Sequence, residues 1–272
     1  MKIGVGTDEF DVVVDGPPDG DVVLLLHGFP QSAHCWRLVA PALAARGFRV
    51  VAPDQRGYSP GARPVAAGGY RLPTLTADAI GLLDALGDGP AHVVGHDWGA
   101  AVAWQVGALH PDRVRTLTTL SVPHPRAFVE ALRTDPDQRR RSLYMRDFAT
   151  DGYDVTLLAD DAALLRAFFE GAGDAVDVAD VVRRAAEPGA LGAWLRWYAD
   201  QRLEDVAQTP VVTVPTMHVW SDGDAALGAA GARGTADWVT GPYRFEALAG
   251  VSHWIPEQAA QPLTALLLDH LV

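Results

Sequence analysis

The sequence predicts an α/β fold: a mostly parallel, doubly wound sheet carrying an inserted α-helical segment. Three observations point there. Short β-type runs alternate with helical stretches over the first part of the chain, the rhythm lapses into helices alone after Pro123, and it returns at Thr216. Regular alternation requires parallel strands joined by crossover helices that cover both faces of the sheet.

The elements follow in order. Phe10 to Val14 reads as a short strand. Val22 to His27 is an unbroken apolar run stopped by Gly28, the pattern of a strand buried on both faces. Trp36 to Ala45 reads as a helix ending near Gly47, and Phe48 to Ala52 as a strand halted by Pro53. Leu75 to Leu86 is a helix closed by Gly87, Ala91 to Val94 a strand, and Trp98 to Leu109 a helix stopped by Pro111. Val114 to Leu120 is the next strand. From His124 to Gln208 only helical stretches stand out, Ala162 to Phe169 and Leu191 to Ala199 most clearly. Thr216 to Trp220 and Tyr243 to Leu248 restore the strands, and a last helix runs from about Pro256 to Leu271. This predicts a core in two parts, 1–123 and 209–272, with a helical cap over 124–208. Within that cap, Arg139-Arg140-Arg141 reads as the solvated face of a helix.

A chain of 272 residues suits one large α/β domain with a modest insertion. Its formal net charge of −12 repels phosphate backbones and anionic headgroups, which sets nucleic acid and membrane surfaces aside as partners. No apolar run approaches the length of a membrane span, and Met1 to Phe10 lacks a signal-peptide core, so a cytoplasmic location is expected. Cys35 is the single cysteine and has no intramolecular disulfide partner. No Cys/His cluster has metal-ligand spacing, so neither metal nor organic cofactor is expected.

The chemistry is carried by Gly95-His96-Asp97-Trp98-Gly99-Ala100, which joins a strand to a helix. A G-x-nucleophile-x-G pattern in that setting is a nucleophile elbow, whose tight turn leaves little room for side chains beside the central residue. That residue, Asp97, then points into the cleft beyond the strand ends. An aspartate here can also serve as a helix N-cap, the competing structural reading. As a nucleophile, a carboxylate displaces a leaving group at saturated carbon and forms an ester that must then be hydrolysed. Such a site opens epoxides or displaces halides.

His253, after the last strand, is the expected base, matching the chain order nucleophile, acid, base. Two acids follow the strand ending at Trp220. Asp224 is favoured because Gly223 permits a turn that brings the next side chain back over the sheet, and Asp222 is its competitor as a turn former. The loop His27-Gly28-Phe29-Pro30 and the residue after the elbow supply the oxyanion donors, the N–H groups of Phe29 and Trp98. Phe29, Pro30, Trp98 and Trp254 are expected to line the substrate pocket.

Together these residues resemble the epoxide hydrolases of the α/β-hydrolase fold, in the branch that uses an aspartate nucleophile. The similarity spans roughly Val22 to Glu257 and is most specific at His27-Gly28-Phe29-Pro30, Asp54-Gln55-Arg56-Gly57-Tyr58-Ser59, Gly95-His96-Asp97-Trp98-Gly99 and Val251-Ser252-His253-Trp254. The resemblance implies a cis peptide before Pro30 and two cap tyrosines that hold the epoxide oxygen and protonate it. Tyr144, in Tyr144-Met145-Arg146-Asp147-Phe148, matches the first, with Tyr153 as a competitor; Tyr198, in Trp197-Tyr198, matches the second. Ser221 departs from the glycine common among such relatives, and Ala225 from their proline. The resemblance implies a small apolar epoxide as substrate, no cofactor, and at most a second copy of the chain as partner. The alternatives are a haloalkane or haloacid dehalogenase with the same aspartate, a biosynthetic enzyme for one large epoxide, and a binding protein that keeps the fold without turnover.

Overall fold

The computed structural model of the chain describes residues 1–65, 68–87 and 89–272. Among these, eight strands form one sheet: β1 (Lys2–Val5), β2 (Asp8–Asp15), β3 (Val22–Leu26), β4 (Arg49–Pro53), β5 (Ala91–His96), β6 (Val114–Leu120), β7 (Thr216–Ser221) and β8 (Tyr243–Leu248). Their order is β1-β2-β4-β3-β5-β6-β7-β8. Every pairing from β4 to β8 is parallel, while β1 and β2 are added antiparallel at one edge. The strand β1 was not anticipated: it is four residues long and buries only Ile3, too little for an apolar pattern.

The helices are α1 (Ala40–Ala44), α2 (Leu72–Leu86), α3 (Trp98–Leu109), α4 (Pro125–Thr134), α5 (Pro136–Arg141), α6 (Tyr144–Phe148), α7 (Tyr153–Ala167), α8 (Val178–Ala185), α9 (Ala190–Ala199), α10 (Leu203–Ala207), α11 (Ala229–Gly234), α12 (Ile255–Gln258) and α13 (Ala260–His270). Neighbouring residues of β3 serve opposite faces, as the pleat demands. Val23 and Leu25 join a core with Leu43 of α1 and Leu263 and Leu267 of α13; Leu24 and Leu26 join one with Leu82 of α2 and Val102 of α3. This double covering makes β3 continuously apolar.

β3 lies between β4 and β5, so the chain winds outward one way from β3 and the other way from β5. The loops after these two strands therefore part at their carboxyl ends. Open α/β sheets take their ligands at this reversal. Between β6 and β7, α4 to α10 follow one another with no intervening strand among the described residues. No helix among them is long and apolar enough to cross a membrane.

Three helices differ from expectation for local reasons. Trp36 to Ala45 divides into a 3-10 turn, Ala33–Trp36, and α1, because Pro41 lacks the N–H that a continuous helix would need. Pro262 likewise has no N–H for a bond to Gln258, and the last helix divides into α12 and α13. The stretch expected from Ala162 is the second half of α7, whose path breaks where Asp160, Asp161 and Ala162 adopt positive φ.

Candidate active site

β5 delivers Asp97 to the reversal point with φ 52° and ψ −122°, and α3 starts at the next residue. The turn is tight enough that a Cβ on Gly95 would lie 2.2 Å from the Gly99 carbonyl oxygen. Asp97 stands at the N-cap position of α3, yet its carboxylate makes no capping bond. Its Oδ1 instead accepts the Phe29 N–H at 2.8 Å. That approach requires Gly28, whose hypothetical Cβ would sit 2.3 Å from the same oxygen. The Phe29–Pro30 peptide is cis. His27 braces the loop: its Nε2 accepts the Gln55 N–H at 3.0 Å, leaving Nδ1–H to donate to Gly28 O at 3.1 Å. Burial pushes the His27 pKa down to about 4, which keeps this neutral tautomer. Trp98 opens α3, so its N–H has no intrahelical acceptor.

His253 faces Asp97 across 3.5 Å, Nε2 to Oδ2, and its Nδ1 meets Asp224 Oδ2 at 2.8 Å. Asp224 is essentially inaccessible to solvent, and its other oxygen accepts the N–H groups of Ala226 at 2.8 Å and Leu227 at 3.0 Å. Burial alone would raise the Asp224 pKa, but the His253 charge and these hydrogen bonds bring it below the ordinary carboxylate value. Burial works to lower the His253 pKa; the charge and hydrogen bond of Asp224, reinforced by Asp97, override it and push the imidazole up to about 10. Asp222 is exposed and accepts the Gly250 N–H at 2.7 Å, away from the imidazole.

Tyr144 at the start of α6 and Tyr198 near the end of α9 line the same cavity as Asp97. The α9 helix is pinned by its tryptophans. Trp197 Nε1 donates to Arg56 O at 2.9 Å and Trp194 Nε1 to Gly57 O at 3.2 Å, with the Trp194 ring stacked on Tyr58. The Arg56 guanidinium is itself paired with Asp78 and Asp8 at 2.6–2.7 Å. The Asp54–Ser59 motif is thus where the helical block seats on the sheet, and it holds Tyr198 one residue beyond its anchor. Tyr198 packs edge-on against Phe29, Trp98 and Phe148 with centroids 5.0–5.4 Å apart, and Tyr144 lies 6.1 Å from Tyr198. Burial, then the Asp97 charge, drives the Tyr144 pKa up; burial, then Tyr144 and Asp97, does the same for Tyr198. Both phenols stay protonated. Tyr153 contacts Phe148 behind this cluster and does not line the cavity.

The cavity has two lobes of about 250 Å³ each, sharing Asp97, Tyr144 and Tyr198. Phe29, Pro30, His253 and Trp254 line one; Trp98, Ala101, Phe128 and Met145 line the other. A largely apolar wall with a few convergent polar groups is the usual form of a small-molecule site. No group of metal-ligating side chains occurs among the described residues.

Residues 21–260 match the sequence profile of the α/β hydrolase fold. The chain belongs to the α/β-hydrolase family. This hydrolase is 35% identical to epoxide hydrolase A of Mycobacterium tuberculosis, over 96% of its own length and 93% of that protein's. Its structure is similar to that of epoxide hydrolase A from Mycobacterium thermoresistibile, with a TM-score of 0.87, 30% identity and coverage of 100% and 97% of the two chains. It is also similar to a structure described among novel epoxide hydrolases from hot-environment metagenomes, with a TM-score of 0.91, 28% identity and coverage of 100% and 98%. By family and by these relatives it is an epoxide hydrolase-like hydrolytic enzyme.

Several residues of the hydrolase that hold the site escaped the sequence reading. His96 Nε2 bonds the His253 carbonyl at 2.9 Å, and burial beside His253 lowers its pKa to about 4, so the two rings do not compete for charge. Ser221 Oγ donates to Ser252 O at 2.8 Å, which gives the departure from glycine a structural use. Arg139-Arg140-Arg141 is not wholly solvated, because Arg141 donates to the Asp224 carbonyl.

Proposed function

We propose that the protein opens a small apolar epoxide to a vicinal diol through an ester on Asp97, under a helical cap spanning 124–208. The observation that carries this reading is the setting of Asp97: Phe29 N–H on one oxygen, His253 3.5 Å from the other, and two protonated phenols in the same cavity.

The charge states make the two steps complementary. At rest the His253 imidazolium lies between the Asp97 and Asp224 carboxylates. Asp97 attacks one epoxide carbon, the C–O bond breaks, and a phenol of Tyr144 or Tyr198 gives its proton to the departing oxygen. The new ester is uncharged. Two contributions that held the His253 proton, the charge of Asp97 and its hydrogen bond, are thereby lost. His253 passes this proton to the phenolate and becomes a neutral base, oriented through Nδ1 by Asp224. It then takes a proton from water, and the hydroxide attacks the Asp97 carbonyl. The oxyanion rests on the N–H groups of Phe29 and Trp98. Collapse expels the diol as its alkoxide, which takes the imidazolium proton, and the new Asp97 carboxylic acid returns a proton to His253, restoring imidazolium and carboxylate. The phenols favour this reaction over halide displacement, which needs donors to a leaving halide and no proton.

The test is the covalent intermediate. His253→Gln treated with styrene oxide should accumulate an adduct of the substrate's mass on the peptide containing Asp97. One wild-type turnover in heavy-oxygen water should label Asp97 and leave the first diol unlabelled. Label in that first diol, with Asp97 unlabelled, would overturn the reading.

A further inference from the structure

We propose that Gln138, on the helical block, is a positioning residue for ester hydrolysis, acting with Arg141 through the loop that carries Asp224. The inference rests on the reading of Asp224 and His253 given above. Gln138 is completely buried in α5, and both ends of its amide are used. Its Nε2 donates to Ala226 O at 2.8 Å and Ser142 Oγ at 3.0 Å, and its Oε1 accepts the Gly228 N–H at 2.8 Å. One turn later, Arg141 donates through Nη1 to Asp224 O and through Nε to Asp137 at 2.6 Å.

The route to the acid is rigid. The Ala226 carbonyl and the Leu227 N–H belong to one planar peptide unit. Gln138 holds the carbonyl end, and the N–H end donates to Asp224 Oδ1 at 3.0 Å. Arg141 holds the second peptide plane back, at the Asp224 carbonyl, and the plane between them gives its Ala226 N–H to Asp224 Oδ1 at 2.8 Å. The loop leaves β7 at Ser221, so Asp224 stands three residues beyond the sheet and takes its orientation from these clamps. The partners of Asp224 Oδ1 decide where Oδ2 meets His253. Loosening the Ala226–Leu227 plane lets the Asp224 carboxylate turn, which lengthens or misaligns its bond to His253 Nδ1 and so lowers its support for an imidazolium. The same short segment carries Tyr144, three residues after Arg141. Tyr144 is seated separately, by ring packing against Phe148 and Tyr198, so loosening the clamp bears on ester decay and not on formation.

A purely structural role for Gln138 would lower both half-reactions in step with the folded fraction. A positioning role slows decay selectively. The experiment uses the full chain, styrene oxide, rapid quenching and intact-protein mass spectrometry, with melting temperatures measured alongside. Gln138→Met keeps the side-chain shape and removes the bonds. It should slow decay of the Asp97 ester by about tenfold or more while formation stays within about threefold. The apparent pKa of the decay step should fall, because His253 is less well supported. Arg141→Met should slow decay less, and Arg141→Lys, which keeps a donor, should restore it. Unchanged decay in folded Gln138→Met, or parallel loss of formation and decay, would overturn the proposal. Should Gln138→Met not fold, wild-type decay in both Arg141 variants would overturn it, and slow decay rescued only by lysine would support it. If no variant or wild-type sample forms an adduct on Asp97, the reading of the nucleophile fails and this inference with it.

Discussion

The two walls of the cavity are held by different physics. On the sheet side, the proposed reacting groups are fixed by directed hydrogen bonds: Asp97 by Phe29 N–H, Asp224 by two backbone amides, and His253 between both carboxylates. On the helical side, Tyr144 and Tyr198 are held by ring packing against Phe29, Trp98 and Phe148. A hydrogen bond weakens steeply with misalignment, whereas edge-on rings tolerate offset. Charge is therefore organised by the rigid sheet ends, and the substrate's shape is met by a surface that can repack. Gln138 and Arg141 cross from one wall to the other.

The contrast is broken most directly at the acid. Asp224→Asn should lower turnover by about 10³–10⁴-fold, the scale seen when the partner of a catalytic histidine loses its charge. Asp222→Asn, two residues away on the surface, should stay within about threefold, because exposed positions away from buried networks are tolerant. Equal losses in the two variants, measured as kcat, would reverse the assignment. On the opposite wall, Tyr144→Phe and Tyr198→Phe should each cost about 10²-fold in ester formation, a typical share for general-acid help. Both rings keep their packing, so unfolding free energy should change by less than about 1 kcal/mol. A phenylalanine variant that opens epoxides at the wild-type rate would remove that phenol from the mechanism. The smallest effect concerns pH. The folded His253 pKa, pushed up to about 10, exceeds its ordinary 6.5, so its contribution to stability is complete below about pH 6.5 and lost as pH rises through 10. The gap in unfolding free energy between wild type and His253→Gln should narrow across that window. A gap independent of pH would mean that the imidazolium is not held by the sheet-side carboxylates.

Much of this was legible because it is written in short stretches of chain. The elbow announces itself since Gly95 lies against the Gly99 backbone within one turn. Gly28 was readable only as the stop of β3 and part of the oxyanion loop; its close approach to Asp97 came with the fold. The order of elements placed His253 after the last strand, and the structure brings Asp97, Asp224 and His253 together. Tyr198 was traceable through its tryptophan neighbour. The alternation of β and α segments determined the parallel sheet, while its lapse after β6 marked the run of helices α4 to α10.

The rest required the folded chain. Asp222 and Asp224 flank one glycine, and only the direction of the loop after β7 separates an exposed turn former from the partner of His253. His96, Ser221, Gln138 and Arg141 hold backbone atoms, and a bond to a carbonyl leaves no mark on the identity of the residue that owns it. Gln138 lies about ninety positions from the loop it clamps. The two lobes of the cavity belong to no segment at all, because they are the space left when the helical block is pinned at Arg56 and Gly57 above the sheet. Local sterics and apolar periodicity therefore determined the scaffold and the tight turn at Asp97. The aim of the acid, the support behind it and the shape of the site were decided by tertiary packing, because each depends on atoms that only the fold makes neighbours.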